Sequence, residues 1–121
     1  MDFLELVKKR QSCRSYDPSR PVEKEQLARC IEAVRLAPSA CNSQPWKLVV
    51  VTEPALRNQV AEAAGAKWLG INMFAKQPPA IIVLVREDPN FTSKFGSVVK
   101  NKEYTLLDVG IAAEHFCLAA A

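Results

Sequence analysis

The chain has 121 residues, of which 49% are hydrophobic and 24% charged, a balance typical of a soluble folded domain that excludes disordered and fibrous proteins. Its 16 basic and 13 acidic residues give a formal net charge of +3 and are scattered along the sequence, without the basic cluster of nucleic-acid-binding proteins. We therefore expect a single domain, residues 1–121, with no nucleic-acid partner.

The first half of the chain predicts two helices followed by a strand. Asp2 and Glu5 form a capping-box pattern, which predicts a short helix from about residue 3 to Arg10. Apolar residues on one face predict a second helix from Glu23 to Leu36. The apolar run WKLVVVT, Trp46 to Thr52, predicts a buried strand.

The second half predicts a helix, a strand and a long helix. A proline-initiated helix is expected from Pro54 to about Ala64, and a second buried strand from Ala80 to Arg86. Residues 65–79 are ambiguous between a short helix and turns, and 87–101 read as a polar loop. The helix from Glu103 to Ala121 is apolar on nearly all sides, so it belongs in a core or a subunit interface. Strands that are apolar throughout indicate an α/β or α+β fold whose helices cover both sheet faces.

Cysteine spacing and the N-terminus indicate the compartment. The four cysteines form no C-x-x-C pair and the only histidine is His115, so no zinc site is expected. No basic leader opens the chain, and no apolar run approaches the ~18 residues of a membrane span. We expect a cytoplasmic protein with no membrane partner and with reduced thiols, in which Cys30 and Cys117 are small core residues and His115 is a satisfied core or interface histidine.

The segment RQSCRS, residues 10–15, carries the first candidate site. In an extended chain Arg10, Ser12 and Arg14 share one face. Two guanidinium groups and a hydroxyl suit a phosphate or another polyoxygen anion, because arginine donates in pairs and keeps its charge. The alternative from this hexapeptide alone is a solvated basic turn.

The segment APSACNSQPW, residues 37–46, carries the second candidate site. Two prolines frame a loop between helix and strand, in which backbone and amide donors can approach a flat polar ligand edge. The polar and small residues inside it are Ser39, Ala40, Asn42, Ser43 and Gln44. Taken singly, the loop is better explained by ordinary turn chemistry.

Together these two segments resemble the nitroreductase family of FMN-dependent oxidoreductases. That family carries an R-x-S-x-R type segment after its first helix and A-P-S-x-x-N-x-Q-P-W before a strand, and the later LLDVGIAAEHFCLAAA is similar to its long central helix. The matching residues are Arg10, Ser12, Arg14, Ala37, Pro38, Ser39, Asn42, Gln44, Pro45 and Trp46.

The resemblance implies an α+β fold, an αβα sandwich with a mainly antiparallel sheet between helices, which forms a homodimer through the long helix with FMN at the subunit interface. The residues expected to hold the phosphate, ribityl chain and pyrimidine edge of one flavin are Arg10, Gln11, Ser12 and Arg14. Those expected to reach the flavin bound mainly by the other subunit are Pro38, Ser39, Ala40 and Asn42. Gln44 is a weaker candidate, with a role in loop structure.

The chemistry that the resemblance implies asks little of acid or base side chains. NAD(P)H gives a hydride to the flavin, and a small-molecule acceptor such as a nitroaromatic or a quinone takes the electrons. A cation such as Arg14 beside the ring would stabilise the reduced flavin. No catalytic residue is therefore named, and Cys13 and Cys41 are given no nucleophilic role because no base is evident beside them.

The family usually continues past the long helix into further strands, and this sequence ends in that helix, so we expect a single nitroreductase-like domain that lacks the C-terminal part of the fold. The alternative function is a non-catalytic flavin- or phosphate-binding module or an inactive truncated remnant. A third is an interaction protein that pairs its apolar helix with a partner chain. Trp68, Asn72 and Phe74 lie where relatives shape the pocket above the flavin, but core packing explains them as well.

Overall fold

A computed structural model of the protein describes residues 2–65, 70–88 and 103–121. The regular elements along these ranges are α1 Phe3–Lys9, α2 Lys24–Arg35, β1 Trp46–Val51, α3 Pro54–Ala64, β2 Ile81–Arg86 and α4 Tyr104–Ala120. Two 3₁₀ helices, Ala40–Asn42 and Met73–Lys76, add short turns. Strands β1 and β2 form a two-stranded antiparallel sheet, so the predicted α+β class is confirmed.

The chain divides into two compact units. The first contains the described residues of Met1–Gln11, Lys24–Leu48 and Leu84–Ala121, and the second contains those of Ser12–Glu23 and Val49–Val83. Each strand of the sheet contributes residues to both units.

The first unit is built on the packing of α2 against α4. Val34 of α2 is 1% exposed and forms a buried cluster with Ala37 and Ala112, and Trp46 and Phe116 pack against this cluster. The small Ala112 side chain allows the two helices to approach closely. Burial of a side chain the size of Val34 contributes about 2 kcal/mol to stability.

Helix α1 begins with the predicted capping box. The Glu5 N–H donates to Asp2 Oδ1 at 2.8 Å, and the Asp2 N–H donates to Glu5 Oε2 at 3.2 Å. These bonds satisfy donors that the first turn of a helix leaves without partners. The helix buries little, because Phe3 is 71% exposed and Leu4 is 61% exposed.

The second unit contains α3, which begins at the predicted proline. Glu53 caps it by accepting hydrogen bonds from the N–H groups of Ala55 and Leu56, at 3.0 and 2.7 Å. The 3₁₀ helix Met73–Lys76 packs against α3, and Lys76 Nζ contacts Glu62 Oε1 at 2.8 Å. The ambiguous stretch 65–79 therefore contains a short 3₁₀ helix, whereas Trp68 lies outside the described residues.

Three burial predictions are wrong. Strand β2 was expected to be buried, but its Val85 is 38% exposed. Strand β1 was expected to be buried throughout, but Val49 and Val50 are 39% and 37% exposed, because a continuous apolar run does not reveal whether both faces are covered. Cys117 is exposed, while Cys30 is buried as predicted. Cys117 follows Phe116 by one position, about 100° around the helix, and so leaves the face that packs on α2.

Helix α4 divides into a buried and an exposed apolar face. Asp108 and Ala112 are buried, whereas Leu106, Leu107 and Ile111 are 52%, 63% and 37% exposed. An exposed pair of leucines on an apolar helix is typical of a surface that associates with another chain. The subunit interface predicted for this helix stays a prediction. No helix in the described ranges is both long and apolar enough to cross a membrane.

Candidate functional site

The segment RQSCRS begins at the residue that ends α1. Arg10 has φ −62° and ψ 117° and closes the last turn by donating its N–H to Leu6 O at 3.0 Å. Arg10 and Gln11 belong to the first unit, and Ser12 and Arg14 belong to the second. Gln11, Ser12 and Arg14 are exposed, whereas Arg10 is half-buried.

The guanidinium of Arg10 contains an unpartnered donor. Its Nε is buried and has no hydrogen-bond partner among the described residues. Glu114 Oε1 of α4 lies 4.0 Å from this Nε, which is beyond hydrogen-bond distance. A buried donor without an acceptor costs about 1–3 kcal/mol, and more when it is charged. Arg10 therefore fits an anionic ligand that would supply the missing acceptor.

Tyr16 anchors the following segment in the second unit. Its backbone N–H donates to Gln77 Oε1 at 2.9 Å, and its hydroxyl donates to the Cys13 carbonyl at 3.0 Å. Its ring stacks on Phe74 with centroids 6.4 Å apart. Partial burial raises the pKa of Tyr16, the neighbouring Cys13 adds to the rise, and Arg14 opposes it. These contacts hold the backbone on both sides of Arg14, while the guanidinium remains exposed.

An open apolar depression of about 260 Å³ lies in the second unit, lined by Tyr16, Phe74, Pro78, Ile81 and neighbouring alanines. It contains none of the residues predicted to bind the flavin. Tyr16 and Gln77 were not singled out by the sequence, in which SYDPSRP indicates only a turn. Because Tyr16 and Gln77 are 61 positions apart, no local pattern signals their contact.

The proline-framed loop of the first unit forms a tight turn around the 3₁₀ helix Ala40–Asn42. Cys41, Asn42 and Gln44 have φ values of 54°, 49° and 47°, in the left-handed region that favours glycine. For other residues this conformation costs on the order of 1–2 kcal/mol each. It persists only where surrounding contacts fix it, which is common at ligand sites.

Hydrogen bonds inside the turn help to hold its backbone in this conformation. The Gln44 N–H donates to Ser39 Oγ at 2.9 Å, and Gln44 Nε2 donates to Asn42 Oδ1 at 3.1 Å. The Asn42 N–H donates to the Ser39 carbonyl at 3.0 Å. The structural role expected of Gln44 agrees with these contacts.

A further contact comes from α4. Both carboxylate oxygens of Asp108 accept the Ala40 N–H, at 3.1 and 3.2 Å, and Asp108 is 4% exposed. Sequence reasoning missed this residue and treated the helix as uniformly apolar. The available signal was a single acid inside the run LLDVGIAA, where burial demands a hydrogen-bond donor.

The structure brings Pro38, Ser39, Ala40 and Asn42 together in this turn. Pro38 and Asn42 are exposed, and Ser39 and Ala40 are half-buried. The Ala40 N–H is already bonded to Asp108, so other atoms of the turn would make any contact with a ligand. The amide nitrogen of Asn42 is exposed with the rest of its side chain and can donate to a flat polar edge.

The donor set of these residues fits FMN better than a metal. Within the described ranges, no group of three or more His, Cys, Asp or Glu side chains could hold a metal ion. In the first unit Arg10 supplies a cationic donor and the turn supplies amide and carbonyl groups; in the second unit Arg14 supplies a cationic donor and Ser12 a hydroxyl. Charge-assisted bonds of this kind recognise phosphate oxygens.

Comparison with known proteins gives one consistent family. A sequence profile of the nitroreductase family matches residues 7–121. The major NAD(P)H-flavin oxidoreductase of Aliivibrio fischeri is 39% identical over 57 residues, 47% of this chain and 26% of that protein. A nitroreductase family protein from Clostridium novyi NT superposes with a TM-score of 0.81 at 30% identity, covering 98% of this chain and 63% of that one. An FMN-dependent nitroreductase from Clostridium difficile R20291 gives a TM-score of 0.72 at 28% identity, covering 97% and 59%.

The chain spans less than two thirds of the length of these relatives, since the matches cover 26% to 63% of their lengths. The fold similarity nevertheless extends over nearly the whole of this chain, which confirms the predicted fold. Because the family profile matches all but the first six residues, the chain belongs to the nitroreductase family.

Proposed function

We propose that the protein is an FMN-dependent oxidoreductase that passes a hydride from NAD(P)H through the flavin to a nitroaromatic, a quinone or a similar acceptor. The observation that carries the proposal is the match of residues 7–121 to the nitroreductase family, within which Arg10, Ser12 and Arg14 form the segment expected to hold the flavin. The Nε of Arg10 is buried without a hydrogen-bond partner among the described residues, as is the Nε of Arg57 outside this segment. Relatives named as an NAD(P)H-flavin oxidoreductase and an FMN-dependent nitroreductase support the same cofactors.

The residues proposed to hold the flavin act by binding and orientation. Arg10 and Arg14 would donate to the phosphate and to the pyrimidine edge, and Ser12 would add a hydroxyl donor. Gln11 would contact the ribityl chain. The positive charge of Arg14 favours an electron-rich ring, because a fixed cation stabilises negative charge that develops beside it.

The second group of residues would close the site from the partner subunit. In the proposed homodimer, Pro38, Ser39, Ala40 and Asn42 lie against the flavin held mainly by the other chain. When bound, FMN supplies the hydride chemistry between nicotinamide and acceptor. This chain's own residues supply the pocket, the orientation and the exclusion of water.

The energies of the proposed hydrogen bonds support a flavin site shared between two subunits. Three charge-assisted hydrogen bonds contribute roughly 5–9 kcal/mol gross. Association costs at least about 4 kcal/mol, whereas micromolar binding requires about 8 kcal/mol net. Burial of the isoalloxazine ring between subunits would supply the difference. The exposed Leu106, Leu107 and Ile111 of α4 provide an apolar surface for that dimer.

The experiment is an FMN titration of the purified protein followed by addition of NADH or NADPH under nitrogen. We expect saturable quenching of flavin fluorescence, bleaching of the flavin absorbance band by the nicotinamide, and its return when a quinone is added. Binding without reduction would identify a non-catalytic flavin-binding protein instead. A protein that leaves the fluorescence of added FMN unchanged would contradict the proposal.

A further inference from the structure

We propose that Asp108 of α4 is a positioning residue that fixes the turn of residues 39–44 in the conformation required to contact the flavin. The inference rests on the proposed function, because it is the flavin that gives the turn its role. It adds a residue from the long helix to the site.

The buried carboxylate of Asp108 binds the backbone N–H of Ala40. The side chain is 4% exposed, and the Ala40 N–H lies between its two oxygens at 3.1 and 3.2 Å. A buried carboxylate requires donors, and a backbone N–H that points at it makes a short-range, charge-assisted bond. The Ala40 N–H is therefore one donor that the structure provides for Asp108.

The turn needs an external constraint because its backbone is unfavourable by itself. Three residues that are not glycine adopt φ near +50°. The bond from Gln44 N–H to Ser39 Oγ is local, spanning five residues, and it closes the turn without fixing its position. Asp108 is 68 residues from Ala40 in sequence, so its bond attaches the turn to α4.

The position of Asp108 on α4 links the turn to the proposed subunit interface. Asp108 is buried, whereas the adjacent Leu107 is 63% exposed on the face proposed to contact the partner subunit. A helix is rigid over one turn, so the Asp108 bond sets the position of the turn relative to that interface. The turn is proposed to contact the flavin of the other chain, which makes this relative position decisive.

The test compares Asp108→Ala and Asp108→Asn with Val34→Ala as a matched control. Val34 belongs to the same unit and is buried, and its backbone carbonyl, which the substitution keeps, accepts the N–H of Ala37 just before the turn. Each variant is measured by FMN titration, by KM and kcat for the nicotinamide, and by amide hydrogen exchange at Ala40. Urea unfolding reports the loss of stability in each.

We expect Asp108→Ala to weaken FMN binding by up to about tenfold, because loss of a charge-assisted hydrogen bond inside the protein lowers the population of the turn that can bind, and to accelerate exchange of the Ala40 amide. Asp108→Asn keeps an oxygen acceptor without the charge, so both effects should be smaller. Val34→Ala should lower the urea midpoint while FMN affinity stays within about twofold of the original protein, because the hydrogen bonds of the turn remain intact. If Asp108→Ala does not fold, the same comparison is made with Asp108→Asn.

Two results overturn the inference. One is FMN affinity in the Asp108 variants equal to that of the original protein, with unchanged exchange at Ala40. The other is an equal loss of FMN affinity in Val34→Ala, which would assign the effect to overall stability. These results differ from failure of the proposed function, in which the original protein itself binds no FMN.

Discussion

Replacing Arg10 with methionine should have opposite consequences for the flavin-free and the flavin-bound protein. Methionine keeps much of the length of the side chain and removes its donors. The Nε of Arg10 is buried without a hydrogen-bond partner among the described residues, and its side chain is 36% exposed. The carboxylate of Glu114, at 4.0 Å, does not satisfy it.

The size of the effect is estimated separately for the stability of the protein without flavin and for its affinity for FMN. A buried unpartnered donor costs about 1–3 kcal/mol, and the partial exposure of Arg10 places its cost at the lower end. Arg10→Met should therefore leave the flavin-free protein equally stable or about 1 kcal/mol more stable. Loss of one charge-assisted bond to the ligand, about 1.5–3 kcal/mol, should weaken FMN binding about 10- to 150-fold.

The assay combines urea unfolding of flavin-free protein with FMN fluorescence titration. Arg35→Met is the matched control, because Arg35 is exposed and pairs with Glu32 at 2.7 Å on the surface of α2. It should change FMN affinity by less than about twofold, since an exposed pair contributes little. The reasoning is refuted if Arg10→Met binds FMN as tightly as the original protein, or if it destabilises the flavin-free protein by more than about 2 kcal/mol.

Three further predictions concern the fold. Hydrogen bonds from the Leu56 and Ala55 N–H groups lower the pKa of Glu53 below its ordinary value of 4.5. The Glu53 carboxylate therefore stabilises α3 above the pKa of the unfolded state, and this stabilisation is lost as the pH falls through the pKa of the folded state. The difference in thermal midpoint between the original protein and Glu53→Gln should shrink from pH 7 towards pH 3. Burial raises the pKa of the Cys30 thiol, so Cys30 should react with a disulfide reagent more slowly than the exposed Cys13 and Cys41, and equal rates would contradict its burial. Val34→Ala should destabilise the protein by about 2 kcal/mol in urea unfolding, from lost methyl burial and a residual cavity, and a loss below about 0.5 kcal/mol would mean that the cluster is not packed.

The elements that sequence predicted well are those encoded by neighbouring residues. The Asp2 and Glu5 pair fixes the start of α1, and Pro54 fixes the start of α3, because each acts within one helical turn. The two strands follow from their β-branched runs. The family motif also located the turn that contains Ser39 and Asn42, although their roles towards flavin stay predictions.

The contacts that sequence could not predict join distant positions. Asp108 meets Ala40 across 68 residues, and Tyr16 meets Gln77 across 61. Periodicity identifies an apolar helix but does not say which backbone N–H a single acid in it will meet. The exposure of Cys117 was missed for a related reason, because a helix that is apolar on all sides does not reveal which face is covered.

The central claim is that this chain, through its arginine segment, binds FMN and uses it for electron transfer. The most direct measurement is an absorbance scan of the purified protein, supplied with FMN and freed of excess, before and after NADH and NADPH. The account predicts a flavin band that co-purifies with the protein and is bleached by at least one nicotinamide. A colourless protein after this treatment, or a bound flavin that neither nicotinamide reduces, would contradict it.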